Sequence, residues 1–303
     1  MGGRRARGCD DPAEASLAQP DAPRPPHTTL LRCVRAEILK LRGSRMIPLH
    51  LAIALGIPLV FVAYYVVSDA FDQGTKISVF LQVVACGMTF VAGLVAGLAI
   101  EDEWAATRLQ AVLGVPSRTK AAAAKLLVYL GFALACLALA LGAFAVGMGL
   151  IGQPVWTEPA PVAAAGLTPL VSQFALIFLG SVPCYVLAFW VSLTFGRNAG
   201  FGLGILGLLV ALLMLTGMGD GIWPYVPWAW PGRLAVMLPD ALQIAGGGLP
   251  DSLATLESQT ASMGAACYLG FYRLGFGMCL GTIVVLVVVA GVWVARTDGR
   301  RGE

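Results

Sequence analysis

Six long apolar runs, 47–67, 77–100, 126–151, 169–194, 201–218 and 271–295, leave this chain few ways to fold. None of them contains Asp, Glu, Lys or Arg except Arg273 near the start of the last. A helix crosses roughly 30 Å of hydrocarbon with about 20 apolar residues, and each run is near or above that length. Lipid offers no partner for backbone N–H and C=O groups, so a spanning segment is either a helix or part of a closed barrel. Barrel strands are shorter and alternate polar with apolar residues, which these runs do not do. The expected fold is therefore an all-α integral membrane protein with six transmembrane helices.

Charge gives the orientation. Counting Lys and Arg, nine precede Ile47, four lie between Glu101 and Lys125, one is Arg197 and three follow Ala295, whereas the alternate loops hold only Lys76, Arg233 and Arg273. Excess positive charge stays on the cytoplasmic side, so both termini are expected there. The formal net charge of +3 hides this polarity. With 58% hydrophobic and 12% charged residues, the chain also lies outside the range of soluble globular proteins, about a quarter of whose residues are charged. The seven cysteines imply no disulfide framework, because four of them (Cys86, Cys136, Cys184 and Cys279) fall inside the runs, where buried thiols are common. No cleavable signal peptide is evident, and the first span is expected to serve as an uncleaved signal.

Residues 1–27, rich in Gly, Pro, Arg and Asp, read as a disordered cytoplasmic tail, and 28–303 as one membrane domain. At 100° per residue, Leu30, Leu31, Val34, Ile38 and Leu41 share a stripe about 100° wide, with Arg32, Arg35, Lys40 and Arg42 outside it. Residues 28–45 are thus expected to form an amphipathic helix in the inner interface, its bases toward anionic headgroups.

The segment after the second run, 101–125, is the most informative polar stretch. Glu101, Asp102 and Glu103 precede Trp104, Leu109, Val112 and Leu113 at helical spacing, and Pro116 stops the pattern. This predicts a short helix with acids at its favoured N-terminal end, its apolar residues partnered by lipid or by another protein's groove. At the other side of the membrane, the long segment 219–270 opens with Trp223, Pro224, Tyr225, Pro227, Trp228, Trp230 and Pro231, a composition suited to the headgroup zone. A pair of short interfacial or re-entrant helices is expected there, one of them beginning at Pro239. Glycines four apart, Gly93 with Gly97, Gly200 with Gly204 and Gly277 with Gly281, mark faces where helices can approach closely.

Catalytic chemistry has little to stand on. The chain has two histidines, His27 and His50, and no HExxH, paired-cysteine or nucleophile-elbow pattern, and no metal is expected. A Walker A loop needs Gly directly before its Lys, whereas Lys40, Lys76, Lys120 and Lys125 follow Leu, Thr, Thr and Ala. No Asp, Glu, Lys or Arg lies at mid-membrane depth, where ion-coupled transporters usually place one.

Two segments carry a resemblance. Ala36-Glu37-Ile38-Leu39-Lys40-Leu41-Arg42-Gly43-Ser44, just before the first span, resembles the AE-x-x-K-x-R-x-S opening of ABC-2 type permeases, particularly the lantibiotic and peptide-antibiotic export and self-protection branch. Val115-Pro116-Ser117-Arg118-Thr119-Lys120, with Lys125 leading into the third span, is similar to that family's P-x-R segment. One departure stands out: Ala105, Ala106 and Thr107 occupy positions where the family often carries Gly. The resemblance implies a permease in a bacterial plasma membrane that dimerises or pairs with a second permease and recruits a separate ATPase. ATP and Mg would be held by that ATPase and no cofactor by this chain; the substrate would be an amphiphilic peptide or drug. It also implies that Glu101, Asp102, Glu103, Trp104, Leu109 and Leu113 form the ATPase-coupling helix, followed by Pro116, Arg118 and Lys125, with Glu37, Lys40 and Arg42 on the interfacial helix. Without the resemblance, the residues leave open a membrane scaffold or sensor partner and, with less support, a membrane enzyme.

Overall fold

Within hydrocarbon a helix satisfies each backbone group inside its own segment, so the apolar runs are expected to be helical over nearly their whole length. The computed structural model describes residues 29–44, 46–68, 71–107, 118–153, 169–248, 250 and 258–299, and among them every regular element is helical. The amphipathic helix α1 (Leu30–Leu41) precedes the spans α2 (Met46–Val67), α3 (Gln73–Thr107), α4 (Arg118–Leu150), α5 (Pro169–Phe195) and α6 (Arg197–Leu215). Two short helices, α7 (Trp230–Val236) and α8 (Leu238–Ala245), then lead to the last span, α9 (Ser258–Gly299). Six of these helices are long and apolar enough to cross a membrane. The expected disordered tail, 1–27, lies outside the described residues.

The bundle is built around α3, whose apolar window is 72% buried, while that of α9 is only 11% buried and presents Val284, Val285 and Val288 outward. The closest approach is α3 on α6. A Cβ on Gly93 would stand 2.5 Å from the Gly200 oxygen and from the Gly204 Cα. Two of the three glycine pairs are thus the two halves of one helix crossing, which trades side-chain bulk for backbone contact. The third pair, Gly277 and Gly281, meets nothing within 4 Å among the described residues. Elsewhere in the core, the Phe80 ring on α3 stacks on Phe144 of α4 at 3.8 Å, with Phe61 of α2 edge-on. α5 and α6 are joined by Gly196 alone, at φ +87° and ψ −179°, a backbone region open essentially only to glycine.

The segment after α6 departs from its expected place. It does hold the two short helices, and α8 begins at Leu238 with Pro239 in its first turn. Trp223 and Trp230, however, are 2% and 1% exposed, buried within the protein instead of standing in a headgroup zone. Glycines make the room. Trp223 lies against Gly275 of α9, and the backbone of Pro231 approaches to 2.7 Å from where a Gly180 Cβ would stand on α5. The buried Trp230 indole donates to the Pro224 oxygen at 3.0 Å. Arg233 donates to the carbonyls of Met214 (2.7 Å) and Thr216 (2.9 Å) and pairs with Asp220 at 2.7 Å. It thereby closes the C-terminal end of α6, whose last carbonyls have no partner within the helix. Residues 219–245 are keyed into α5, α6 and α9, with Tyr225 still exposed. The last helix begins at Ser258, well before the apolar run itself.

Candidate functional site

The end of the bundle that carries most of the Lys and Arg, called the basic end here, is where polar side chains from distant parts of the chain meet. α1 packs against α4. On α1, Glu37 accepts from Lys40 at 2.8 Å through one oxygen and lies 3.4 Å from Lys125 Nζ through the other. The Lys125 and Glu37 side chains are 4% and 13% exposed, against 49% for Lys40. Lys125, counted as a loop residue from sequence alone, is a buried residue in the second turn of α4, its ammonium 5.9 Å from the centre of the Tyr129 ring. The i,i+3 pair with Lys40 is a surface pair worth little. The pair with Lys125 fastens α1 to a span. Leu31 and Ile38 on α1 stay exposed, an apolar edge next to the exposed Arg42.

The three acids after Ile100 are placed differently from expectation. Glu101, Asp102 and Glu103 do not begin a separate helix; they belong to the last turns of α3, which runs on to Thr107. Ala105 and Ala106 are strong helix formers and do not break the backbone where Gly would favour a break. The helix therefore extends about 10 Å past Ile100 at 1.5 Å per residue. Acids at a C-terminal end oppose the helix dipole, and two of them have compensating partners. Glu101 accepts from Arg197, the first residue of α6, and that guanidinium also lies 5.8 Å from the Phe201 ring. Asp102 accepts from the Ser44 hydroxyl at 3.0 Å, while the Ser44 oxygen receives the Met46 N–H at 3.2 Å. Ser44 thus opens α2 in the manner of a cap and ties it to α3.

The basic end is consequently laced: α1 to α4 through Glu37 and Lys125, the α1–α2 junction to α3 through Ser44 and Asp102, and α3 to α6 through Glu101 and Arg197. The structure brings Glu37, Lys40 and Lys125 together as one cluster and separates Glu101 from Asp102 by partner. Arg118 is the first residue of α4, and Glu103 and Trp104 are in the last turns of α3. Leu109, Leu113 and Pro116, and any short helix they form, lie outside the described residues.

Sequence reasoning missed three contributors. Ser44 figured only as the last residue of the AE-x-x-K-x-R-x-S opening and Arg197 only as one of the cytoplasmic positive charges, with no contact expected of either. His50, the only His, Asp, Glu, Lys or Arg within the first apolar run, is 2% exposed; a lone imidazole in an apolar stretch was the available sign.

The sequence model described as ABC-2 family transporter protein matches residues 33–213, from α1 to α6. No curated protein and no solved structure matches the chain.

Proposed function

Because the chain belongs to the ABC-2 family of transporter proteins, we propose that it is the membrane permease of an ABC exporter and that the protruding end of α3 receives the stroke of a separate ATPase. The family implies an ATP-binding-cassette partner in general. In the finer reading, ATP and Mg sit on that subunit, the substrate is an amphiphilic peptide or drug, and two permeases work together in a bacterial plasma membrane with both termini cytoplasmic. Self-protection against a lantibiotic is one such role.

The lacing of the basic end is the observation that carries this reading. α3 is the most buried span, it projects past Ile100, and its last turns are tied to the α1–α2 junction and to α6. A force applied near Trp104 would be delivered to four helices at once, whereas a passive surface segment needs no such ties. Trp104, Leu109 and Leu113 would supply apolar contact with the ATPase, Glu101 to Glu103 would orient it, and Pro116 and Arg118 would lead the chain back to α4. Truncating an anchor in a well-packed interface commonly costs about 2 kcal/mol or more, a rim charge less. Trp104→Ala or Leu109→Ala should therefore lower ATPase recovery in a pull-down at matched permease level, with Glu103→Ala milder. Equal recovery with all three variants would return the segment to a lipid-surface role.

A further inference from the structure

Arg273 is the one formal charge inside the six apolar runs, and it lies on α9, the least buried of the spans. It is exposed and makes no hydrogen bond or ion pair among the described residues. An ionised side chain on a lipid-facing helix needs a partner, because hydrocarbon supplies none. α9 itself holds no Asp or Glu before Asp298, at its far end.

Depth follows from the second arginine of the helix. Arg296, in the last turn of α9 at the basic end, is 23 residues from Arg273, about 34 Å along a helix at 1.5 Å per residue. Hydrocarbon is roughly 30 Å thick. With Arg296 among the headgroups of one leaflet, Arg273 therefore stands at the phosphate level of the other. Helical side chains lean toward the N-terminus, which carries this guanidinium further into that headgroup layer.

The face running inward from Arg273 is shaped for a chain. At 100° per residue Arg273, Gly277, Gly281, Val284 and Val288 share a stripe about 80° wide. Both glycines are exposed and meet nothing within 4 Å among the described residues, so they leave a shallow furrow between the guanidinium and the exposed valines. A second copy of this chain is a poor occupant. Two α9 helices crossing at Gly277 and Gly281 about a two-fold axis would bring their Arg273 charges together one turn away. A phosphate ester with a fatty chain matches both features, since a guanidinium takes two phosphate oxygens side by side and the furrow takes the chain. α9 offers no carboxylate there to the ammonium of a zwitterionic headgroup, which favours an anionic one.

We propose that α9 binds an anionic phospholipid of the phosphatidylglycerol type in the leaflet opposite the basic end, its phosphate on Arg273 and one acyl chain along Gly277, Gly281 and Val284. The assignment does not depend on the exporter reading, since it concerns binding by this chain alone.

The test uses the full-length chain in phosphatidylcholine nanodiscs doped with a phosphatidylglycerol that carries a diazirine in one acyl chain, with labelled residues located by peptide mass spectrometry. Label on 277–288 should saturate as the doped fraction rises. It should be competed by unlabelled phosphatidylglycerol but not by inorganic phosphate at matched ionic strength. Arg273→Gln, a change at an exposed side chain, should raise the half-saturating fraction on α9 about fivefold, the scale of one cation near an anionic surface, and leave label on α1 unchanged. Label on α9 that only rises in proportion to the doped fraction, competition by inorganic phosphate, or a half-saturation in Arg273→Gln that is unchanged or shifts equally on α1 would each overturn the proposal. So would adducts joining α9 of two copies when p-benzoylphenylalanine replaces Val284.

Discussion

A single methyl group at Gly93 tests the packing of the bundle where it is tightest. In Gly93→Ala the new Cβ would stand 2.5 Å from the Gly200 oxygen and from Gly204 Cα and 2.6 Å from the Gly204 nitrogen. All three are backbone atoms, so no rotamer change relieves the overlap. Ordinary carbon contacts begin near 3.5 Å, and α3 and α6 must therefore separate by about 1 Å, losing dispersion along the crossing. Overpacking of this kind costs about 1–3 kcal/mol, against which the better helix propensity of Ala returns up to about 1 kcal/mol. The net is a loss of about 1–2 kcal/mol, or roughly 2–8 °C in melting temperature at about 2–4 °C per kcal/mol. Gly277→Ala and Gly281→Ala, the same change at the same spacing, meet nothing within 4 Å among the described residues and should be neutral or slightly stabilising. Thermal unfolding of the three purified variants, followed by tryptophan fluorescence in one detergent, compares them directly. Equal shifts at Gly93 and Gly277, or a stabilised Gly93→Ala, would refute the assigned crossing.

Two further outcomes follow from the ends of the bundle. Glu37→Gln withdraws a countercharge from the buried Lys125, which keeps its approach to the Tyr129 ring. Breaking a fully buried pair costs about 3–5 kcal/mol, so about 2 kcal/mol is expected here, against about 0.5 kcal/mol or less for the surface change Lys40→Ala; melting curves that fail to separate the two would remove the pair as a fastening of α1. In single-cysteine versions an impermeant maleimide on intact cells should label Cys267, which is exposed on α9, and spare Cys33 of α1, and the reverse pattern would invert the proposed orientation.

The spans were legible because hydrocarbon imposes one rule on every residue in it, and runs such as 77–100 obey that rule without exception. Helix ends were less so. An acidic start and an acidic finish look alike when Glu101-Asp102-Glu103 is read without knowing that Ala105 and Ala106 carry α3 onward. The glycine pairs show a similar ambiguity: Gly93 with Gly97 and Gly277 with Gly281 have the same spacing, but only the first meets a partner helix, and spacing cannot name a partner. The tryptophans of 219–270 suited a headgroup zone by composition, and only the gaps at Gly180 and Gly275 bring Trp230 and Trp223 inside.

The division of labour between this chain and a separate ATPase is tested most directly by ATP hydrolysis. No lysine follows a glycine in this sequence, so no Walker A loop exists to hold the phosphates. The purified chain in lipid nanodiscs should release no phosphate from Mg–ATP. The same nanodiscs, supplied with the nucleotide-binding subunit that co-purifies from native membrane, should hydrolyse it at a rate that responds to Trp104→Ala. Robust hydrolysis by this chain alone, in a preparation shown free of other ATPases, would contradict the account.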